Sequence, residues 1–372
     1  MKIIVVGTRG FPNVLGGVEK HCEQLYPRLV DLGNEVIVFT RKAYIPNELR
    51  LDEWKGVKFK HLWCPRIKSF EAIIHSSLAV IIARFYSPDI LHIHAIGPAI
   101  VSPIARILRM KIVVTHHGPD YQREKWGKLA KIILKVGEYF GIKYSNKLIV
   151  ISKVIQNHVL RKHKNKETIL ISNGINNPEL ISPDGILSEY GLKKNEYIFS
   201  ACRFVPEKGL HHLIEVFSEL NLNGVKLVIA GDADHETEYS KSIKESARKK
   251  GVILTGNLFG IRLAELFTNA GLFVLPSYYE GLPIALLEAI SFSLPVLVSD
   301  IPQHKEINLS NNRYFKTGDE KDLKIKIEEL FPLGISEEEK LQYKKLIFEK
   351  YNWDKIAEIT NRVYQSVSKP IR

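Results

Sequence analysis

Short apolar runs recur along this chain, each followed by a segment of helical length, and the series stops once and starts again. KIIVVG (2–7), EVIVFT (35–40), VKFKHL (57–62), DILHIH (89–94), KIVVTHH (111–117) and KLIVIS (147–152) make the first series, with a helical stretch over 18–33 that ends at Gly33. Runs this apolar need cover on both faces, the condition of parallel strands in βαβ units. SNGINNPELISPDG (172–185) breaks the pattern with turn-forming residues and reads as a linker. YIFSA (197–201), VKLVIAG (225–231), GVILTG (251–256), LFVLPS (272–277) and PVLVSD (295–300) then restart it. The expected class is α/β, with two doubly wound domains at 1–172 and 186–352 joined by 173–185. A helix over 353–372, following the Tyr351-Asn352 break, is expected to pack back on the first domain. In such sheets ligands bind outside the carboxyl ends of the strands, so the strand-end loops are where chemistry is sought.

Charge divides the halves. Residues 1–172 carry 28 Lys and Arg against 13 Asp and Glu, whereas 173–372 carry 25 against 28. The basic half suits an anionic partner: nucleic acid, anionic lipid or a phosphorylated substrate. No zinc finger, RNP aromatic motif or basic helix-turn-helix supports nucleic acid. Cys22, Cys64 and Cys202 lie far apart with no CxxC spacing, which excludes a legible zinc or disulfide framework and fits a reducing, cytoplasmic setting. The longest weakly polar stretch, 72–83, falls short of the roughly 20 apolar residues that span a bilayer. A peripheral place on the inner face of the plasma membrane remains compatible. Along 124–142, Trp126, Leu129, Ile133, Val136 and Phe140 form an apolar stripe bordered by Lys125, Lys128, Lys131 and Lys135, which either lies on an anionic membrane or faces the core.

Three strand-end loops carry candidate chemistry. GTRGFPNVLGGVEK (7–20) lacks the GxGxxG of a nicotinamide site, but Gly16 and Gly17 before a helix let backbone N–H groups approach a phosphate, unless they only make a flexible turn. RFVPEKG (203–209) puts Arg203 and Lys208 on one loop, cations suited to a diphosphate or merely to solvent. In YYEGLPIALLEAIS (278–291) a helix is expected with Glu280 at its mouth and Glu288 about two turns inside, and with the Gly281 and Leu282 N–H groups toward an anion. Apolar neighbours leave Glu288 partly buried, and a ribose diol offers its two oxygens two hydroxyls.

Together RFVPEKG, GNLFG (256–260), the Glu280/Glu288 pair, the early GGVE and NGI (173–175) resemble the retaining glycosyltransferases of family 4 over nearly the whole chain. That resemblance implies the GT-B fold, two facing Rossmann-like domains with a deep interdomain cleft. It implies Arg203 and Lys208 on the donor diphosphate, Glu280 on hydroxyls of the transferred sugar and Glu288 on the ribose. It further places Asn257 and Leu258 beside the base, and Gly16 and Gly17 near the phosphates and the acceptor. THHGPDYQREKWGKLAK (115–131) is similar to bacterial polysaccharide transferases that include rhamnosyltransferases. By that likeness His117 lines the reaction centre, with His116 as its rival, and Asp120, Arg123 and Lys125 shape the acceptor side. The implied partners are a nucleotide sugar and a glycan or lipid-linked acceptor. No cofactor and no metal are expected: Asp232 and Asp234 mimic a D-x-D metal motif, but in a chain already supplied with cationic phosphate ligands. His92 and His94 share one face of a strand without a third ligand in view. The rival enzyme is a sugar-nucleotide epimerase of the same fold, which needs no acceptor.

Overall fold

The computed structural model describes residues 1–368 apart from 15, 66–70, 123–126, 177, 221 and 234. It divides into two compact units, residues 1–174 with 352–372, and residues 175–351.

The first unit holds strands β1 (Lys2–Val6), β2 (Glu35–Arg41), β3 (Glu53–Trp54), β4 (Val57–Leu62), β5 (Ile90–His94), β6 (Ile112–His116), β7 (Lys147–Val150) and β8 (Thr168–Leu170). They form one sheet in the order β3-β4-β2-β1-β5-β6-β7-β8. Every neighbouring pair is parallel except β3 with β4. Ile3 to Val6 are wholly buried, as central strands covered on both faces must be. One face packs on the amphipathic helix Gly17–Asp31, through Cys22, Leu25, Tyr26 and Leu29. The C-terminal helix Trp353–Ser368 joins the same core through Trp353, Ile356, Ala357, Val363 and Tyr364. Arg28 Nε donates to Asp354 Oδ1 at 2.7 Å, so the last helix is also tied to the first at its surface.

The second unit adds β9 (Tyr197–Ala201), β10 (Lys226–Ala230), β11 (Ile253–Gly256), β12 (Leu272–Leu275), β13 (Val296–Ser299) and β14 (Tyr314–Phe315). Their order, β11-β10-β9-β12-β13-β14, is the doubly wound arrangement whose direction of winding reverses between β9 and β12. The first sheet reverses likewise between β1 and β5. At a reversal the loops after the two central strands leave on opposite sides and open a crevice.

The basic stripe on the helix Lys128–Tyr144 is rearranged relative to expectation. Its core face is Ala130, Leu134, Gly137, Glu138, Gly141 and Ile142. Leu129 and Val136 are exposed together with Ile132 and Tyr139, while Ile133 and Phe140 are half-buried; Trp126 lies outside the described residues. Small residues let the helix backbone come close to the loop after β5: a Cβ at Gly137 would stand 2.1 Å from the Ile96 carbonyl oxygen.

Candidate active site

At the second sheet's reversal, the loop after β9 meets the loop after β12. Gly209 makes the approach possible, with φ of 65° and a backbone so near Pro276 that a Cβ would lie 2.2 Å from the Pro276 oxygen. The Tyr278 N–H donates to the Glu207 carbonyl at 2.9 Å and joins the loops a second time. Lys208 Nζ then reaches Glu280 Oε1 at 2.5 Å, and Ser277 Oγ donates to the same oxygen at 2.7 Å. Burial pushes the Glu280 carboxyl up, but the Lys208 charge and these hydrogen bonds outweigh it and hold it below its ordinary range. Behind the pair, Ser299 Oγ donates to the Ser277 carbonyl at 2.5 Å, and His304 Nδ1 donates to the Ser299 carbonyl at 2.8 Å. Burial lowers His304 to about 4, so it stays neutral near pH 7. An ammonium with two N–H groups beyond its bond to Glu280, at the mouth of the crevice, is equipped to take an anion.

The first sheet's reversal is lined by imidazoles. His94 ends β5, His117 follows β6, and His21 comes from the helix Gly17–Asp31. His94 Nδ1 and His117 Nε2 lie 2.9 Å apart, and His21 Nδ1 lies 2.7 Å from Asn173 Oδ1. Burial lowers all three, His21 to about 4, so they stand as neutral rings. His116 points elsewhere. Its Nδ1 accepts from the Gly118 N–H at 3.1 Å, so its Nε2 carries the proton and donates to buried Glu138 at 3.0 Å. Glu138 also accepts from Lys162 at 2.8 Å and binds His158 and Tyr121. His116 is thus committed to bracing the loop, and of the two adjacent rings His117 is the one left at the strand ends.

Residues 187–344 match the family described as Glycosyl transferases group 1, and residues 15–177 match Glycosyltransferase Family 4. This chain is a glycosyltransferase of the GT-B fold. The transferase is 26% identical to an uncharacterized glycosyltransferase of Methanocaldococcus jannaschii, across 98% of both chains. It is 29% identical to the UDP-Gal:alpha-D-GlcNAc-diphosphoundecaprenol alpha-1,3-galactosyltransferase of Escherichia coli, over 57% of this chain and 58% of that one. Among solved structures it resembles Anabaena HepE in complex with UDP-glucose, with a TM-score of 0.79 at 17% identity, covering 98% of this chain and 100% of that one.

The remaining expected residues of the transferase fall as follows. Arg203 is half-buried on the same loop as Lys208. Asn257 is exposed and Leu258 half-buried just past β11. The helix expected at Glu280 begins later, at Ile284, with Pro283 as its cap, so Gly281 and Leu282 lie in the bend before it. Their N–H groups are therefore loop donors rather than a helix terminus, and Glu288 stands little more than one turn inside, half-buried. Proline's fixed φ and missing N–H suit the cap as well as the first turn, which is why the boundary slips. Gly16 has a reason of its own: a Cβ there would lie 2.0 Å from Glu19 Oε2, and Glu19 Oε1 accepts from the Arg9 N–H at 2.9 Å. Gly17 opens the helix. Asp120 starts a half-buried turn after β6, while Arg123 and Lys125 lie outside the described residues. Asp232 pairs with Lys244 Nζ at 2.8 Å, and Asp234 lies outside the described residues.

Sequence reasoning missed Ser277, His304, Glu138 and above all His21. The only forward signal for His21 was the HIH pair, and nothing in spacing brings a helix residue 73 positions earlier to His94.

Proposed function

We propose that this enzyme is a retaining glycosyltransferase that moves a sugar from a nucleoside-diphosphate sugar to a hydroxyl of a glycan or lipid-linked acceptor in cell-surface polysaccharide synthesis. The observation that carries the reading is the Lys208–Glu280 pair at the reversal between β9 and β12. In this account the Lys208 ammonium and the Arg203 guanidinium take the diphosphate, Glu280 holds hydroxyls of the sugar, and Glu288 holds the ribose. Asn257 and Leu258 border the base, the Gly281 and Leu282 N–H groups turn to the phosphates, and His117 meets the sugar. The bond from the anomeric carbon to the phosphate oxygen breaks while the acceptor oxygen attacks the same face. The acceptor's proton goes to the departing phosphate oxygen, so no side-chain base is required. Preorganised positive charge on that phosphate is the main catalytic contribution, and it makes a metal at the diphosphate unnecessary.

The relative from Escherichia coli is named for a diphosphoundecaprenol-linked substrate. A lipid-borne acceptor suits the exposed stripe Leu129, Ile132, Val136 and Tyr139, which stands beside Lys128 and Lys135. Next to it a shallow basic pocket of about 370 Å³ is lined by Tyr139, Lys143, His163, Lys164 and Lys166, fit for an anionic headgroup. The enzyme is accordingly placed on the cytoplasmic leaflet as a peripheral protein. No described helix is long and apolar enough to cross a membrane.

A thermal-shift screen against UDP, GDP and dTDP sugars tests the donor, with dTDP-rhamnose first on the strength of the 115–131 likeness. The matching donor at 100 times its dissociation constant should add about 2.7 kcal/mol to the fold that binds it. No shift with any nucleotide sugar would remove the reading. Conversion of the nucleotide sugar without acceptor would instead mark an epimerase, and an inverted anomeric proton in the product would exclude retention.

A further inference from the structure

The imidazoles at the first sheet's reversal form a set that sugar transfer does not use as a whole. Their ring centroids make a nearly equilateral triangle: 5.4 Å from His21 to His94, 5.1 Å from His21 to His117 and 5.2 Å from His94 to His117. One ring nitrogen from each lies within 4.8 Å of the other two. Zinc bound tetrahedrally by imidazoles at about 2.0–2.1 Å needs ligand nitrogens roughly 3.3 Å apart, so side-chain rotations of about 1 Å close the set.

Hydrogen bonding prepares the lone pairs. The Asn173 Oδ1 can only accept, so His21 Nδ1 donates to it and the Nε2 lone pair is left on the other side of the ring. That nitrogen is buried and has no partner among the described residues, and His21 is only 2% exposed. A buried polar atom left unsatisfied is costly, and it is the atom an ion would engage. An outer carbonyl fixing the ring's other nitrogen is the usual support of a metal-binding histidine. His94 is braced from its outer side by Tyr26, whose hydroxyl, able to accept as well as donate, meets His94 Nε2 at 2.5 Å, while Nδ1 faces His117. The one proton shared between His94 Nδ1 and His117 Nε2 can move to the opposite nitrogen of His117 by a tautomer change.

We propose that His21, His94 and His117 bind one divalent transition-metal ion of the zinc and cobalt class, with a fourth position open to water. This site belongs to the first unit and is separate from the cationic diphosphate cradle of the second. Occupancy withdraws the His117 ring from the sugar and so inhibits transfer; that consequence rests on the proposed function, whereas binding does not.

Chelator-treated full-length enzyme is titrated with cobalt(II) chloride, and visible absorption is followed. One equivalent should raise the bands of four-coordinate cobalt, and zinc should displace it. His21→Ala should weaken cobalt binding by more than tenfold. Asn173→Ala, which leaves all three ligands in place, should weaken it about 10–100-fold. Replacing the adjacent pair His211 and His212 by alanine should leave the titration unchanged. Absence of a saturable band, or a band indifferent to both His21→Ala and Asn173→Ala, overturns the site. Zinc at one equivalent should also lower turnover at least tenfold, reversibly with chelator; undiminished turnover with the ion bound overturns the link to His117. Failure of the transferase reading would leave the cobalt titration intact, so the two failures are distinguishable.

Discussion

Two buried carboxylates, Glu280 and Glu138, are each ionised for a different purpose. Glu280 is buried beside Lys208, and their bond occupies one of three ammonium donors. Lys208→Ala is expected to lower kcat by about 10²–10³, the usual loss when one stabilising donor is removed from a developing anion. It should also destabilise the second unit, because Glu280 loses its counter-charge. Steady-state kinetics and thermal melting check both, and near-normal turnover in a folded variant would take Lys208 out of the mechanism. Glu138 serves the fold instead. Burial alone would raise its pKa, but hydrogen bonds from His116, His158 and Lys162 outweigh burial and hold it far below the carboxylate range. A depressed folded-state pKa means stability that is present above the unfolded value of about 4.3 and lost as pH falls below it. The melting temperature of the wild type should therefore drop more steeply between about pH 5 and pH 3 than that of Glu138→Gln. Parallel profiles would show that Glu138 does not couple folding to pH.

At the scale of elements, the strands were legible because a βαβ strand needs the apolar run that announces it. β1, β2, β4, β5, β6, β7, β9, β10, β11, β12 and β13 all stand where alternation placed them, within a residue or two. β3, β8 and β14, of two or three residues each, escaped notice because so short a pairing carries no periodicity. The loops were legible by composition but not by shape. Gly209 was part of a motif, yet its need for glycine comes from Pro276, 67 positions later, and only the meeting of two strand ends shows it. Gly209→Ala is expected to cost more than about 1 kcal/mol, since the new methyl is strained by φ and blocked by the Pro276 oxygen. Donor affinity should fall with it, because the same contact aligns Lys208 with Glu280. A variant that melts and binds nucleotide sugar like the wild type would refute this role of the Gly209 turn.

For the molecule as a whole, the excess of basic residues in the first half gains meaning from where the helix Lys128–Tyr144 leaves its apolar side chains. Leu129 and Ile132 are about 60% exposed, and burying such surface in lipid is favourable at roughly 25 cal/mol per Å². The enzyme is expected to float with vesicles containing anionic phospholipid and to be released as salt is raised. Reversing Lys128, Lys131 and Lys135 to glutamate should weaken flotation at least tenfold while leaving donor binding in solution unchanged. Equal flotation with neutral and anionic vesicles would deny the charge its part.

Local pattern sufficed for whatever depends on neighbours in sequence: two α/β series, the linker composition, and the strand-end loops with the charged residues they carry. Apolar periodicity and turn chemistry act over a few residues, so they can be read directly. Tertiary structure alone decided which face of the helix Lys128–Tyr144 is core, that His116 is spent on Glu138, and that His21 joins His94 and His117. Each of these turns on how closely two backbones approach and which polar atoms burial leaves to be satisfied, and both are set by packing between distant segments.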